Sequence, residues 1–466
     1  MIVFSEYKLE DLILSIQTGK TPATNNPLYF NGDIPWVTPS DLRGQKYINL
    51  TERKISEQAI IDKEAFLYKK DTILISTIGD IGKTALIDKP VASNQQLTGI
   101  RVDENIILPS FFYYWVIKYK KKLEFKANKS VISILNNNNL KKISIEIPND
   151  IEYQRKISLQ LDTIQNLVDK RIRTIQIAES LILSIYIELF GHPLSNPYNL
   201  KTKKLSQLGV WQSGGTPKSD ILEYYLGDIP WFTSGELGST YLERSNKSIS
   251  IQAIKNSNAK IIAPNSIMIG LYDTAAFKMS INKQECASNQ AILSSKLEDE
   301  FFTLFVYYTL LLSKDYYLSK RKGARQKKLN ATFVKNIKII YPSDKNGRDK
   351  ILKFYNLYYV IESQLIKLNK SLDILQSLFQ SVLQNAFRKD LEIGEEVIFK
   401  ELIKSLSLED LRGNKKRLQY LIDLFKQNEF DDHISYSEAK EKLFNLILEN
   451  EVQQTFDNEK ITLNVK

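Results

Sequence analysis

The pentapeptide GDIPW occurs at residues 32–36 and again at 227–231, 195 positions later. Thr21-Pro22 returns as Thr216-Pro217, and Ala92-Ser93-Asn94-Gln95 returns as Ala287-Ser288-Asn289-Gln290, both at that same offset. Three motifs sharing one offset confine the chain to two copies of one unit. A period of 195 residues is a duplicated domain, much too long for a solenoid repeat. Each copy closes alike, with a short strand-like run ending on proline, ISIEIP at 143–148 and IKIIYP at 337–342. A long helical stretch follows each, and SLILSIYIELF (180–190) answers SLFQSVLQNAF (377–387). Between the shared motifs the copies differ: DLRGQKYINLTERKIS matches ELGSTYLERSNKSIS only loosely. A held scaffold with changed filler is what two domains doing one job on two different targets require.

Each globular half reads as mixed, β-rich α/β. DTILIST (71–77) and NSIMIGLY (265–272) have the apolar, β-branched character of strands, while FFYYWVIKYKKK (111–122) and EDEFFTLFVYYTLLL (298–312) read as helices packing aromatic and aliphatic residues inward. In GDIPW, Gly-Asp signals a turn, and Pro35 and Pro230 fix φ before a tryptophan that enters the core. The expected layout is a globular domain at 1–150, a helix at 151–191, a second globular domain at 192–345 and a second helix at 346–390. An acidic, helix-rich extension without a duplicate follows at 391–466, with 11 basic and 16 acidic residues.

The two helices carry heptads. In the first, Leu161, Val168, Ile175, Ile182 and Leu189 form one column, and Ile157, Ile164, Arg171, Ala178 and Ile185 the other. In the second, Phe354, Tyr358, Ile361, Leu365, Leu368, Leu372, Leu375, Phe379, Val382 and Ala386 are apolar throughout. Stripes this long predict a coiled coil. The simplest partner of each helix is the other, in an antiparallel pair that relates the two domains by a pseudo-twofold axis; a homodimeric coiled coil is the alternative.

Lysine and arginine exceed aspartate and glutamate by ten, and the sequence pI is about 9.1, which favours a polyanionic partner, nucleic acid before a membrane surface. Basic residues stand beside aromatics and amides in YKKKLEFKANKS (119–130), before LNNNNLKK (135–142), and in SKRKGARQKKLN (319–330). Cationic side chains neutralise phosphates, and arginine and amides read base edges. The candidate DNA contacts are Lys20, Lys83, Asn94, Gln95, Lys118, Lys120, Lys126 and Lys129 in the first copy. In the second they are Lys218, Lys278, Asn289, Gln290, Arg321, Lys322, Arg325, Gln326 and Lys327.

Catalytic signatures fail one by one. Gly82-Lys83-Thr84 lacks the phosphate-loop glycine five residues earlier, where Thr77 stands. Asn26-Pro27-Leu28-Tyr29 lacks the second proline of a methyltransferase loop, and Glu52-Arg53-Lys54 is a common charged triplet. His192 and His433 are far apart and without cysteine company, so neither a zinc site of ordinary spacing nor a Ser/His/Asp set is expected. Lone Cys286 points to a reducing compartment. No N-terminal signal pattern is present, and the longest apolar runs fall short of the ~18 residues that span a bilayer, so a soluble, cytoplasmic protein is expected.

TGKTP, GDIPW followed by Val-Thr or Phe-Thr, ASNQ, the closing strand-proline and a helix ending in ELFG together resemble the DNA specificity subunit of type I restriction–modification systems. The resemblance covers residues from about 5 to 390, and the ordered, duplicated set makes it specific. It implies two target-recognition domains reading a split, asymmetric site in double-stranded DNA. It also implies paired helices that act as spacer and dock two modification subunits, and a restriction subunit that cleaves and translocates DNA. The chain itself would be non-catalytic and bind no cofactor, S-adenosylmethionine, ATP and magnesium belonging to its partners, and it would sit at the nucleoid. Pairing with a methyltransferase alone, or a DNA-binding coiled-coil protein without a restriction role, is the alternative. One departure stands out: the Gly-x-x-Gln of GARQKKL (323–329) faces KSVISIL (129–135) in the first copy.

Overall fold

The computed structural model describes residues 2–48, 50–127, 133–320, 329–387, 411, 418, 419, 421, 422, 433–449, 452–457 and 460–465. The chain forms two compact units, Met1–Ile172 with Lys370–Lys466, and Arg173–Asn369. Each contains one globular copy and a part of both long helices.

In the first unit, four antiparallel strands run in the order Ile13–Thr18, Leu97–Val102, Ile73–Ser76, Thr84–Leu86. Ile73, Leu74 and Ile75 are all fully buried, because both faces of this central strand are covered; hence its unbroken apolar run. The helix Pro109–Lys118 begins with proline at its first turn, where the missing N–H costs nothing. Phe111 through Val116 are buried without a gap, so this helix has no polar face. A second sheet pairs Phe30–Val37 antiparallel with Arg53–Ile55 and parallel with Ala92–Ser93. Phe4–Lys8 and the closing strand Ser144–Pro148 pair separately.

The second unit repeats this plan with one more strand, in the order Gln212–Ser213, Ile292–Lys296, Ser266–Gly270, Met279–Asn282, Tyr241–Leu242. In the first unit the counterpart of that fifth strand is a single parallel bridge, Tyr47 to Leu86. The smaller sheets are Lys247–Ile249, Ile229–Phe232 and Ala287–Ser288, and Thr202–Lys204 with Lys338–Ile340.

Trp36 and Trp231 are buried, as expected of GDIPW. The glycine has a different task from the turn read in the sequence. Gly32 lies inside the strand Phe30–Val37, where the register shifts between Phe30 and Ile34. A Cβ there would sit 2.4 Å from the Ile55 carbonyl oxygen, and one on Gly227 2.3 Å from that of Ile249. Close backbone approach, in both copies, is what demands glycine.

The long helices are Ile151–Phe190 and Lys345–Asn385. Asp150 caps the first by accepting from the amides of Glu152 and Tyr153, and Asp344 caps the second by accepting from Gly347. The first stops at Gly191, whose φ is +76° and whose N–H donates to Ile187. In the first unit Leu161, Ile164 and Val168 share one buried cluster with Leu375 and Phe379, and half-buried Leu372 packs against it. In the second unit Ile175, Ile182 and Leu365 are buried and Leu368 half-buried. There the rings of Tyr186 and Phe190 lie 5.5 and 6.3 Å from Phe354. The start of each helix thus meets the end of the other, so the pair is antiparallel. Near the end of the first helix the heptad column gives way: Ile185 and Leu189 are half-buried, while Tyr186 and Phe190 are buried. A 3.6-residue turn drifts against a 3.5-residue repeat, and the drift brings Tyr186 and Phe190 onto Phe305.

Among the described residues of the C-terminal extension, Leu411, Leu418, Gln419, Leu421 and Ile422 are helical and so is His433–Leu448. An antiparallel hairpin that the sequence reading did not anticipate follows, in which Val452–Asp457 pairs with Lys460–Val465. The alternation of VQQTF and ITLNV has the period of a strand. Leu411, Leu418, Leu421, Ile422, Leu443 and Leu446 are buried and continuous with the core of the first unit. No helix among the described residues is long and apolar enough to cross a membrane.

Candidate nucleic-acid interface

The three repeated motifs converge in each unit. The GDIPW strand pairs with ASNQ, Trp36 opposite Ala92 and Trp231 opposite Ala287. Gly19 and Gly214 press against the same segment, where a Cβ would lie 2.3 Å from the Asn94 carbonyl oxygen and 2.2 Å from that of Ser288. Thr21 Oγ1 then donates to Gln95 Oε1, and Thr216 Oγ1 to Gln290 Oε1. Gln95 and Gln290 are exposed, so each copy displays one carboxamide oriented by a threonine, with its Nε2 group left as a donor.

The neighbouring asparagines serve the loop. Asn94 is buried; its Oδ1 accepts from the Gln96 amide at 3.1 Å and its Nδ2 donates to Gln96 Oε1 at 2.9 Å. Asn289 Oδ1 accepts from the Ala291 amide at 3.1 Å. Asn94 and Asn289 therefore close turns, while the glutamines are displayed.

Several candidate cations are already engaged. Lys20 Nζ donates to the Lys63 carbonyl and pairs with Glu64 at 2.9 Å. Lys83 and Lys120 share Asp80, at 3.3 and 2.8 Å, and these lysines hold the Asp80 carboxyl below the usual range. Half-buried Lys118 also has an interaction partner. Lys278 is half-buried, whereas Lys126 and Lys218 are exposed. Lys129, Arg321, Lys322, Arg325, Gln326 and Lys327 lie outside the described residues.

Beside Gln95 in the first unit opens a groove of about 280 Å³, lined by Thr18, Thr77, Ile78, Ile134 and residues 135–138. LNNNNLKK is therefore brought to the repeated motifs. Behind the groove the hydroxyls of Thr18, Thr98 and Thr77 are linked, 3.0 Å from Thr18 to Thr98 and 3.2 Å from Thr98 to Thr77. Asn137 Nδ2 donates to Thr18 Oγ1 at 3.1 Å, and its Oδ1 accepts from Thr18 at 3.3 Å. Asn136 caps the short helix Asn137–Lys141.

The same backbone frame recurs in the second unit with other side chains. Thr18 pairs with Thr98, and Ser213 with Leu293. The Leu135 amide donates to the Thr77 carbonyl and the Leu329 amide to that of Leu271, both at 2.8 Å. Asn330 caps Ala331–Lys335 as Asn136 caps its helix. Thr77, Thr98 and Asn137 thus correspond to Leu271, Leu293 and Ala331.

The family model described as the type I restriction modification DNA specificity domain matches both copies, at residues 2–177 and 197–372. The chain belongs to this family. The specificity subunit of the type I restriction enzyme MjaIX of Methanocaldococcus jannaschii is 24% identical over 83% of the chain and 93% of the relative. The specificity subunit of EcoBI from Escherichia coli is 21% identical over 79% and 77%. In fold, the chain is similar to the S subunit of a type I system from M. genitalium, with TM-score 0.52, 14% identity and 84% and 97% covered. It is also similar to a chain solved in a study of type I complex assembly, with TM-score 0.51, 16% identity and 84% and 100% covered.

Two features of this specificity-family chain escaped sequence reasoning. One is the threonine cluster, which placing Thr98 against Leu293 at the repeat offset would have revealed. The other ties each domain to a long helix. Lys46 is 8% exposed; its ammonium lies 2.5 Å from Asp162 Oδ1, which also accepts from Tyr114 Oη. The rings of Tyr114, Tyr47 and Tyr113 surround that ammonium at 5.0, 5.6 and 5.7 Å, and burial holds Lys46 below the usual lysine range despite Asp162. In the second unit the junction is aromatic: Tyr359 Oη donates to Tyr241 Oη at 2.9 Å.

Proposed function

We propose that the chain is the non-catalytic DNA specificity subunit of a type I restriction–modification complex. Each recognition domain reads one half of a split site in double-stranded DNA. What carries the reading is one frame holding Thr21–Gln95 and Thr216–Gln290 alike while the side chains beside it differ. Two such domains call for two unlike half-sites. The long helices act as spacer: 32 residue steps from Phe354 to Ala386 rise roughly 48 Å at 1.5 Å each, about 14 base pairs of B-DNA. On this reading two modification subunits dock on the helices and supply S-adenosylmethionine chemistry. A restriction subunit adds ATP- and magnesium-dependent translocation and cleavage. The complex works on DNA in the cytoplasm.

The test is strand-resolved methylome sequencing of cells carrying this chain with its neighbouring modification subunit, against cells lacking the chain. A bipartite motif of two unlike halves with a fixed gap, lost without the chain, is the expected result. Methylation that persists without the chain overturns the proposal. Exchanging residues 1–150 for those of another family member should change one half of the motif alone.

A further inference from the structure

We infer that Thr18, Thr77, Thr98 and Asn137 are the specificity-determining cluster of the first domain, the three threonines orienting the Asn137 carboxamide to hydrogen-bond a base edge in its half-site. In the second domain Leu271, Leu293 and Ala331 stand in the places of Thr77, Thr98 and Asn137. The inference rests on the DNA-reading function proposed above.

The fold itself does not require these hydroxyls. Thr77 and Thr98 are 3% and 0% exposed, while Leu271 and Leu293, in the same frame, are 2% and 0% exposed. A buried hydroxyl is worth less to a core than a leucine unless it is hydrogen-bonded, and the second unit shows that leucine fits. The three hydroxyls are instead joined to one another and to Asn137, so their protons and lone pairs are ordered around the half-buried carboxamide that lines the groove. Of the two Nδ2 hydrogens of Asn137, the bond to Thr18 uses one.

Among the described residues, the groove lining holds no lysine, arginine, aspartate or glutamate. Phosphates are met mostly by cations, whereas base edges are read by amides, hydroxyls and methyl contacts. An uncharged amide–hydroxyl groove therefore suits a base edge. In the second unit Ser213 keeps a hydroxyl at the place of Thr18, but buried Leu271 and Leu293 and Ala331 replace the other partners, so this amide–hydroxyl network is absent there. Gln95 stands at the rim of the groove and Gln290 at the equivalent place in the second unit; common to both, they cannot tell one half-site from the other. The discrimination falls to the side chains that differ.

The test is methylome sequencing of Asn137→Ala and Thr98→Leu, which give the first domain the chemistry of the second, with Thr98→Ser as rescue. The full chain is expressed with its modification subunit throughout. The expected result is a loss of about tenfold or more in preference at one base pair of the first half-site. The second half-site and the gap stay unchanged, which reports that the chain is folded and assembled, and Thr98→Ser keeps the wild-type motif. A first half-site unchanged in both variants overturns the inference. So does a uniform loss of methylation in variants that still co-purify with the modification subunit and melt like wild type, since the cluster would then serve affinity alone. A wild-type methylome without a bipartite motif would instead overturn the proposed function.

Discussion

Removing Asp162 should cost far more than removing Lys46, although both break the same pair. Asp162→Ala leaves a buried ammonium and the Tyr114 hydroxyl without their acceptor. Stripping one partner from a fully buried pair costs about 3–5 kcal/mol. The Asp162 side chain keeps 31% of its surface in contact with solvent, so water offsets part of that, and about 2–3 kcal/mol is expected. Lys46→Met keeps the aliphatic stem among Tyr47, Tyr113 and Tyr114 and removes the charge that burial disfavours. Asp162 retains Tyr114 and water, so the change should cost about 1 kcal/mol or less. A transition of a unit this size moves by about 2–4 °C per kcal/mol. Asp162→Ala should therefore lower the melting of the first unit by roughly 4–12 °C and Lys46→Met by about 4 °C at most. The double variant should be more stable than Asp162→Ala alone. The pH dependence carries its own sign. The folded chain holds Lys46 below its unfolded value, so above the folded pKa the unfolded chain binds more protons. Stability from this group then rises as pH climbs toward the unfolded value near ~10.4, and Lys46→Met lacks that slope. Equal losses in the two single variants, or a greater loss in Lys46→Met, would refute the reasoning.

Gly227→Ala, whose Cβ meets the Ile249 carbonyl oxygen at 2.3 Å, should cost about 1–3 kcal/mol or more in denaturant melts. Gly44→Ala, where only a φ of +95° opposes the methyl, should cost about 1–2 kcal/mol. Fully buried Gln154 accepts from the Leu108 amide and donates to the carbonyls of Ile106 and Pro148, all at 2.9 Å. Gln154→Glu at neutral pH, which loses both donors and adds charge, should melt lower than Gln154→Ala. Burial raises the Cys286 thiol to about 12, so iodoacetamide at pH 8 should label it only after unfolding; rapid labelling of the native chain would contradict that burial.

Duplication made the architecture legible. One offset fixed two copies, and the heptads located both helices because an apolar stripe that long needs a second helix to bury it. What stayed hidden depended on contacts between distant segments. Lys20, Lys83 and Lys120 read as phosphate contacts because a sequence does not show Glu64 or Asp80 folded beside them. Asn94 and Gln95 are adjacent and chemically alike, yet one is buried and one displayed, a difference set by the strand Ala92–Ser93 ending at that point. The C-terminal hairpin was missed because charge composition hid a period of two that its last residues carry.

The division between shared and private residues has a physical basis. The shared ones stand where backbones approach within contact distance, at Gly19, Gly32, Gly214 and Gly227, or where one side chain orients another, as Thr21 does Gln95. Such positions accept no alternative without moving a strand. The private ones stand where shape is constrained and polarity is open, so Thr98 and Leu293 are both fully buried in one frame. The junctions to the helices follow the same logic, with Lys46–Asp162 on one side and Tyr241–Tyr359 on the other. Ion pair and tyrosine pair fix the same pose by different chemistry. A chain built this way can change what a domain recognises without changing how that domain is held.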